Sequence, residues 1–136
     1  MNTYSITYDG DLRCTLVHDD SGQRVITDAP KDNHGRGEAF SPTDLCCAAL
    51  GACLTTVMGI AARKEGIRID GARLAVEKRM SAQPPRRIVG IAVRLAMPPG
   101  VPRARRAHLE QVARTCPVAL SLHPDIAQDI VFTWPD

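Results

Sequence analysis

Two of the five cysteines stand where a thiol could do chemistry. Cys53 lies within the apolar segment SPTDLCCAALGACLTTVMGIAARKEG, and Cys116 opens the segment CPVALSLHP. Pro117 favours a helix start, which places Cys116 at or near an N-cap, beside the positive end of a helix dipole. This position lowers the pKa of a thiol, and the thiolate is the nucleophile, so Cys116 is a candidate reactive thiol; the alternative is a small residue that lies at a turn without a chemical role. Two such thiols brought together would suggest thiol redox chemistry.

The other cysteines are typical of small core residues. Cys46 and Cys47 lie on the same predicted helix as Cys53, and Cys14 alternates within a predicted strand. The odd cysteine count and the absence of a CxxC pair argue against a disulfide framework. The four histidines show no ligand spacing, so we expect no metal and no cofactor.

A thiolate needs a nearby cation to hold its charge. The candidates are Arg13, Arg24 and Arg36, since arginine stays charged and offers a planar fork of donors. A carboxylate that orients this arginine could be Glu38 or Asp44. Each residue also has a simpler explanation: the arginines as surface residues, Asp44 as a helix cap and Glu38 as part of a solvated loop.

The helix that carries Cys53 must position this chemistry. Ser41 suits its N-cap, Pro42 its first position, and Asp44 closes a pattern like a capping box. Apolar residues then run almost all round the helix, which is typical of a helix in the middle of a fold. We expect it to end before Gly66.

Short strands and two further helices account for the rest of the chain. Residues 1–30 predict a three-stranded meander, residues 31–40 a polar loop, and residues 72–97 a β-hairpin. A second helix is expected after Pro102, a short one from Pro117, and a last strand over residues 126–134. The order βββ-α-ββ-α-α-β predicts an α+β fold with largely antiparallel sheets.

Length and composition limit the classes of function. A chain of 136 residues is expected to form one domain, residues 1–136, with a sizeable core. Aromatic residues make up only 4% and the net charge is +2, so we expect no nucleic-acid partner. The basic run at residues 103–106 is typical of a solvated helix face.

The N-terminal residues and the apolar segment bear on localisation. MNTYSITYDG has neither the basic nor the apolar region of a signal peptide. The longest apolar stretch, Leu45–Met58, is interrupted by Thr55 and Thr56 and is short for a bilayer span. We expect a soluble cytoplasmic protein without a membrane partner.

The chain resembles the osmotically inducible protein C / organic hydroperoxide resistance (OsmC/Ohr) family over nearly its whole length. The segments that carry the resemblance are YDGDLR, SGQRVITDAPKDNHGRGEAFSPTDL, AALGACLTTVM and CPVALSLHPDI, in that order. A helix opened by SPTDL, a cysteine nine residues after Asp44 and a downstream CPV form a specific combination. The resemblance implies an intertwined homodimer, in which antiparallel sheets from both chains wrap two long central helices.

The resemblance also implies a two-cysteine mechanism. The family's cysteines correspond to Cys53, which attacks the peroxide and becomes a sulfenic acid, and Cys116, which resolves it as a disulfide. A dithiol, in some members a lipoylated protein, then reduces the disulfide. The family's activating arginine falls on Arg13. The hydroperoxide-resistance branch has Glu directly after the helix-opening proline, where this chain has Thr43 and then Asp44, which suggests the OsmC-like branch.

Three hypotheses of different classes follow. The first is a thiol-dependent hydroperoxide reductase in oxidative-stress defence, in which an apolar wall of Leu54, Val57, Met58 and Val118 favours organic hydroperoxides. The alternative is a non-enzymatic dimer that binds an apolar ligand beside the long helix or acts as a thiol redox sensor. A third hypothesis is a purely structural dimer, or a hydrolase or lyase. The sequence has no nucleophile elbow, phosphate loop or metal spacing to support it.

Overall fold

The computed structural model describes residues 3–136, and in this range the elements follow the predicted order βββ-α-ββ-α-α-β. The α+β class is thereby confirmed. A short 3₁₀ turn, Lys31–Asn33, lies in the loop before the long helix. The elements are β1 (Tyr4–Gly10), β2 (Arg13–His18), β3 (Arg24–Asp28), α1 (Pro42–Lys64), β4 (Arg73–Met80), β5 (Ile88–Ala96), α2 (Arg103–Arg114), α3 (Pro117–Ser121) and β6 (Ala127–Thr133).

The chain divides into two compact units, one ending at Cys46 and the other beginning at Cys47. The first unit holds the predicted meander, an antiparallel sheet in the order β1-β2-β3. Its central strand, β2, sets Arg13 opposite Asp28 on β3. Arg13 is thereby placed next to the start of the polar loop that leads to α1.

The second unit contains a sheet in the order β4-β5-β6. Strands β4 and β5 form the predicted antiparallel hairpin, whereas β5 and β6 are parallel. Three of the four strand pairings among residues 3–136 are thus antiparallel, which agrees with the prediction of largely antiparallel sheets, and the β5–β6 pair is the exception. In the chain, α2 and α3 come between β5 and β6. They return the chain to the end of the sheet at which β5 begins, so β6 runs in the same direction as β5.

The start of α1 has the predicted capping box. The backbone N–H of Ser41 donates to Asp44 Oδ2 at 2.9 Å, and the backbone N–H of Asp44 donates to Ser41 Oγ at 3.1 Å. These two bonds satisfy donors that a helix start otherwise leaves free. The helix runs from Pro42 to Lys64, so both predicted ends are confirmed.

Within the second unit, α1 buries one stripe of its surface. The buried residues recur every three or four positions, which places them on one helical face: Cys47, Leu50, Leu54, Met58 and Ala62. They join a core that includes Ile91, Val93 and Leu95 of β5. Away from this stripe, Ala52, Thr56 and Ile60 are exposed. One chain therefore covers only part of a helix that is apolar almost all round.

The length of α1 corrects one expectation. With 23 residues, α1 is long and apolar enough, by length and composition, to cross a membrane. The helix extends beyond Leu45–Met58, and Thr55 and Thr56 do not interrupt it. Their hydroxyls donate to carbonyls one turn earlier at 2.7 Å, which keeps both side chains within the helix. A core helix of a soluble protein meets the same criterion, and the buried stripe is typical of such a helix.

Gly35, in the loop before α1, is a position where no side chain fits. A Cβ there would lie 1.7 Å from the carbonyl oxygen of Ala29, a backbone atom that cannot rotate away. We expect Gly35→Ala to lower the free energy of unfolding by about 2 kcal/mol or more. Denaturant unfolding measures this change, and a variant as stable as the wild type would contradict this loop geometry.

Gly59→Ala on α1 is the matched control for this substitution. Apart from the neighbouring backbone of α1 itself, the described atom that a Cβ at Gly59 would contact is Ile69 Cδ1, at 4.0 Å, an ordinary van der Waals distance. Alanine stabilises a helix interior by about 0.5–1 kcal/mol relative to glycine. The control is therefore expected to raise stability slightly, in the opposite direction to Gly35→Ala.

Candidate active site

Cys116 is the N-cap of α3, as predicted. Its Sγ accepts a hydrogen bond from the backbone N–H of Ala119 at 3.4 Å, and the residue is only 1% exposed. The end of α2 holds it from one side, since the Cys116 N–H donates to the Ala113 carbonyl at 3.2 Å. Gln128 of β6 holds α3 from the other side by donating to the Ala119 carbonyl at 3.0 Å. Two helices and a strand thus fix this thiol.

Cys53 projects from the middle of α1 and is half-buried against the same core. It lies close enough to Cys116 to raise the pKa of that thiol, and both residues are free cysteines. The structure therefore brings together the two cysteines that the sequence singles out. Neighbouring free thiols can be oxidised to a disulfide and reduced again.

Burial raises the pKa of the Cys116 thiol above its ordinary value. The hydrogen bonds from the N–H groups of Ala119 and Val118 act in the opposite direction, while the neighbouring Cys53 thiol raises the pKa further. The prediction that the helix start lowers the pKa of Cys116 is therefore wrong in its net direction. The loss of water around the buried thiol outweighs the effect of the capping hydrogen bonds. Cys116 therefore keeps its proton at neutral pH.

This raised pKa makes stability depend on pH. Between the unfolded-state pKa, about 9, and the higher folded-state value, the unfolded chain has lost the Cys116 proton and the folded chain has kept it. The contribution of Cys116 to the free energy of unfolding is thus fully present below about pH 9. It is lost as the pH rises through the folded-state pKa of Cys116. We expect the free energy of unfolding to fall more steeply above pH 9 in the wild type than in Cys116→Ser. Denaturant unfolding from neutral pH to about pH 10 tests this, and parallel pH curves would contradict it.

In the first unit, Arg13 and Glu38 come together. Arg13 Nη1 donates to Glu38 Oε1 at 3.3 Å, and Arg36 Nη1 lies 3.9 Å from the same oxygen. The Arg13 side chain is 32% exposed and that of Arg36 is 77% exposed, so Arg13 is the better held of the two. Arg24 lies at the opposite end of β3 from Asp28, which is the cross-strand neighbour of Arg13.

The two candidate carboxylates differ in their partners. Asp44 caps α1 through Ser41, whereas Glu38 pairs with Arg13. Glu38 is in turn positioned by a residue that the sequence analysis missed. Asp28 is 1% exposed, and its Oδ2 accepts the backbone N–H of Glu38 at 3.0 Å. In sequence, Asp28 resembles an ordinary turn residue before Ala-Pro, so only its burial marks it.

The predicted apolar wall divides into two pairs. Leu54 and Met58 are fully buried in the core and present no surface to a substrate. Val57 and Val118 are half-buried and pack against that core. Of the four predicted residues, these two therefore remain available to contact an apolar molecule near the thiols.

The site chemistry on the described part of the chain is that of thiols, a guanidinium and carboxylates. No group of three or more histidine, cysteine or acidic side chains within residues 3–136 could hold a metal ion. The thiols belong to the second unit, and the Arg13–Glu38 pair belongs to the first.

Comparisons with known proteins identify a family and a fold. The family model described as OsmC-like protein matches residues 35–130. A Psychrobacter arcticus 273-4 protein, named for osmotic stress induction and a detoxification response, is 42% identical, with a TM-score of 0.92 over 98% of this chain and 96% of that one. No curated protein matches the chain.

Two more distant structures share the fold. An organic hydroperoxide resistance protein OsmC from Legionella pneumophila is 16% identical, with a TM-score of 0.75 over 98% of this chain and 96% of that one. The organic hydroperoxide resistance protein OhrB of Bacillus subtilis is 15% identical, with a TM-score of 0.70 over 98% of both chains.

Proposed function

The chain belongs to the OsmC-like protein family, and we propose that it is a thiol-dependent hydroperoxide reductase of oxidative-stress defence that acts in the cytoplasm. The observation that carries this proposal is the pair of free cysteines, Cys53 and Cys116, which lie close enough for Cys53 to raise the pKa of the Cys116 thiol. The names of the Legionella and Bacillus proteins, both organic hydroperoxide resistance proteins, point in the same direction.

In the first step, Cys53 is the nucleophile. Its thiolate attacks the terminal oxygen of the hydroperoxide, so a sulfur–oxygen bond forms while the oxygen–oxygen bond breaks. The other oxygen leaves as an alkoxide and takes up a proton to become the alcohol. Arg13, oriented by Glu38, stabilises the thiolate and the negative charge that develops on the leaving oxygen.

In the second step, Cys116 resolves the sulfenic acid. The Cys116 sulfur attacks the Cys53 sulfur, a disulfide forms, and the hydroxyl leaves as water with the proton of Cys116. Because Cys53 lies close enough to Cys116 to influence its pKa, we expect this step to need little movement of α1 or α3. A dithiol reductant, such as the lipoyl group of a lipoylated protein, then exchanges with the disulfide, becomes oxidised itself and restores both thiols.

The apolar surface near the thiols favours an organic hydroperoxide. Val57 follows Cys53 by one helical turn and so lies on the same side of α1, and Val118 lies two residues after Cys116. Both side chains are half-buried and could contact an alkyl or aryl group. Hydrogen peroxide would gain nothing from this surface.

The protein acts, in this proposal, as a homodimer of single-domain chains. A helix that is apolar almost all round is buried on one face only within its own chain. The exposed side, which includes Ala52 and Ile60, is the surface that a second copy would cover. Light scattering at several concentrations measures the mass, and a monomer at all of them would contradict the homodimer.

Peroxide consumption tests the proposed reaction. We expect the wild type to reduce cumene hydroperoxide faster than hydrogen peroxide when dihydrolipoamide supplies the electrons. If the protein consumes one equivalent of peroxide and then stops, the thiol-sensor hypothesis is favoured. If it reacts with neither peroxide, the reductase proposal is overturned.

Substitution of Arg13 tests the role of the cation. We expect Arg13→Gln to lower kcat/KM for cumene hydroperoxide by about 10²-fold, because the leaving oxygen loses its charged donor. Arg24→Gln is the matched control, since Arg24 belongs to the same sheet but lies at the other end of β3. Steady-state kinetics of both variants measure this change. Equal losses of kcat/KM in Arg13→Gln and Arg24→Gln would contradict a specific role for Arg13.

A further inference from the structure

Asp28, the last residue of β3, closes the loop that leads to α1. Its backbone N–H donates to the Phe40 carbonyl at 3.1 Å, and its Oδ2 accepts the backbone N–H of Glu38 at 3.0 Å. One residue at the start of the loop therefore binds two residues at its end. A loop whose ends are joined in this way is compact and follows a fixed backbone path.

The backbone between these ends is held by further hydrogen bonds. The Gly35 N–H donates to the Pro30 carbonyl at 3.0 Å, and the Gly37 N–H donates to the Ala29 carbonyl at 3.2 Å. The Ala29 N–H donates to the Leu12 carbonyl at 3.1 Å, which ties the loop to the turn between β1 and β2. The residue that follows Gly37 thus continues a segment whose backbone is already fixed.

The side chain of Glu38 needs this support. It is 54% exposed, and the Arg13 side chain that pairs with it at 3.3 Å is 32% exposed. Exposed ion pairs contribute little free energy, because water competes for both groups and two long side chains lose conformational freedom. The pair therefore keeps one geometry only if the backbone that carries Glu38 is held in place.

Asp28 can hold that backbone because it is buried. Only 1% of the residue is exposed, so water does not compete for the hydrogen bond from Glu38. Asp28 is also the cross-strand neighbour of Arg13, and residues directly opposite each other place their side chains on the same face of a sheet. Strand β2 therefore fixes the base of the Arg13 side chain, and Asp28 fixes the residue that binds its tip.

We propose that Asp28 is a positioning residue for hydroperoxide reduction, which holds Glu38 so that Glu38 orients the Arg13 guanidinium toward the reacting atoms. This inference rests on the proposed function, in which Arg13 stabilises the thiolate and the leaving oxygen. In this role Asp28 contacts neither the substrate nor the thiols and acts only through Glu38. The role accounts for a carboxylate that is buried at the end of a strand, where burial of its charge is costly.

Steady-state kinetics of two Asp28 variants with cumene hydroperoxide and dihydrolipoamide test the proposal. Asp28→Ala removes the acceptor for the Glu38 N–H and should lower kcat/KM about tenfold. Asp28→Asn keeps an acceptor oxygen and should restore kcat/KM to within about threefold of the wild type. Asp19→Ala is the matched control and should keep full turnover, since Asp19 accepts the Ser5 hydroxyl at 2.7 Å beyond the other end of β2 from Arg13.

A double variant distinguishes positioning from a general effect on folding. In Arg13→Gln the group that Asp28 positions is gone, so the added Asp28→Ala should not lower kcat/KM further. Losses that multiply in the double variant would overturn the proposal. An Asp28→Asn variant as impaired as Asp28→Ala would overturn it as well, and thermal unfolding shows that each variant is folded under the assay conditions.

Hydrogen exchange separates this proposal from the reductase itself. The Glu38 amide should exchange slowly in the wild type and in Asp28→Asn, and at least about tenfold faster in Asp28→Ala. Unchanged exchange at Glu38 in Asp28→Ala would overturn Asp28 as the anchor of the loop. A wild type without turnover would overturn the reductase and the role that rests on it, whereas wild-type kcat/KM in Asp28→Ala would overturn the positioning role alone.

Discussion

Cys53→Ser is expected to abolish hydroperoxide turnover, lowering kcat/KM for cumene hydroperoxide by about 10³-fold or more. A serine hydroxyl does not ionise near neutral pH and cannot be oxidised to a sulfenic acid, so the first step loses its nucleophile. The side chains are nearly the same size and Cys53 is only half-buried, so α1 should keep its packing. Peroxide consumption at matched protein concentration measures the loss.

Cys46→Ser is the control for this substitution. Cys46 precedes Cys53 by two turns of α1 and is also half-buried, but Cys53 is the cysteine that raises the pKa of the Cys116 thiol. This variant should turn over at a rate close to that of the wild type. Turnover that persists in Cys53→Ser, or that disappears equally in Cys46→Ser, would contradict the assignment of the nucleophile.

Cys116→Ser is expected to separate the two steps of the reaction. The variant should still reduce one equivalent of cumene hydroperoxide, because Cys53 is intact. Steady-state turnover should then fall by about 10²-fold, since no second thiol forms the disulfide. The sulfenic acid at Cys53 should accumulate, and dimedone labelling with mass spectrometry detects it.

The design of Cys116→Ser keeps the local structure in place. Serine is a good N-cap, so its Oγ can accept the Ala119 N–H as Sγ does. Cys14→Ser, in the other unit, is the matched control and should keep full turnover. Wild-type turnover in Cys116→Ser, or an absence of labelled Cys53 after peroxide, would show that Cys116 is not the resolving thiol.

Features that depend on neighbours in sequence could be predicted. The capping box of Ser41 and Asp44 and the N-cap at Cys116 each use contacts three residues apart, so the local pattern was sufficient. The bounds of α1 follow in the same way from an N-cap and a glycine beyond the C-terminal end. The proximity of Cys53 to Cys116 depends on how distant segments pack together, and only the resemblance to a known family indicated it.

Features that depend on the tertiary structure could not be derived. The parallel pairing of β5 with β6 is determined by the path of α2 and α3, which periodicity does not report. The choice of Glu38 over Asp44 as the partner of Arg13 depends on where the loop folds back. The pKa of Cys116 was predicted in the wrong direction because its burial was unknown, and Asp28 was missed for the same reason.

Peptide mapping after one equivalent of cumene hydroperoxide shows whether the two thiols react with each other. We expect one disulfide, between Cys53 and Cys116 of the same chain, together with one equivalent of the alcohol released, and dihydrolipoamide should restore both thiols. A chain that consumes the peroxide without forming this disulfide, or that links Cys53 to Cys46 or Cys47 instead, would contradict the two-cysteine mechanism.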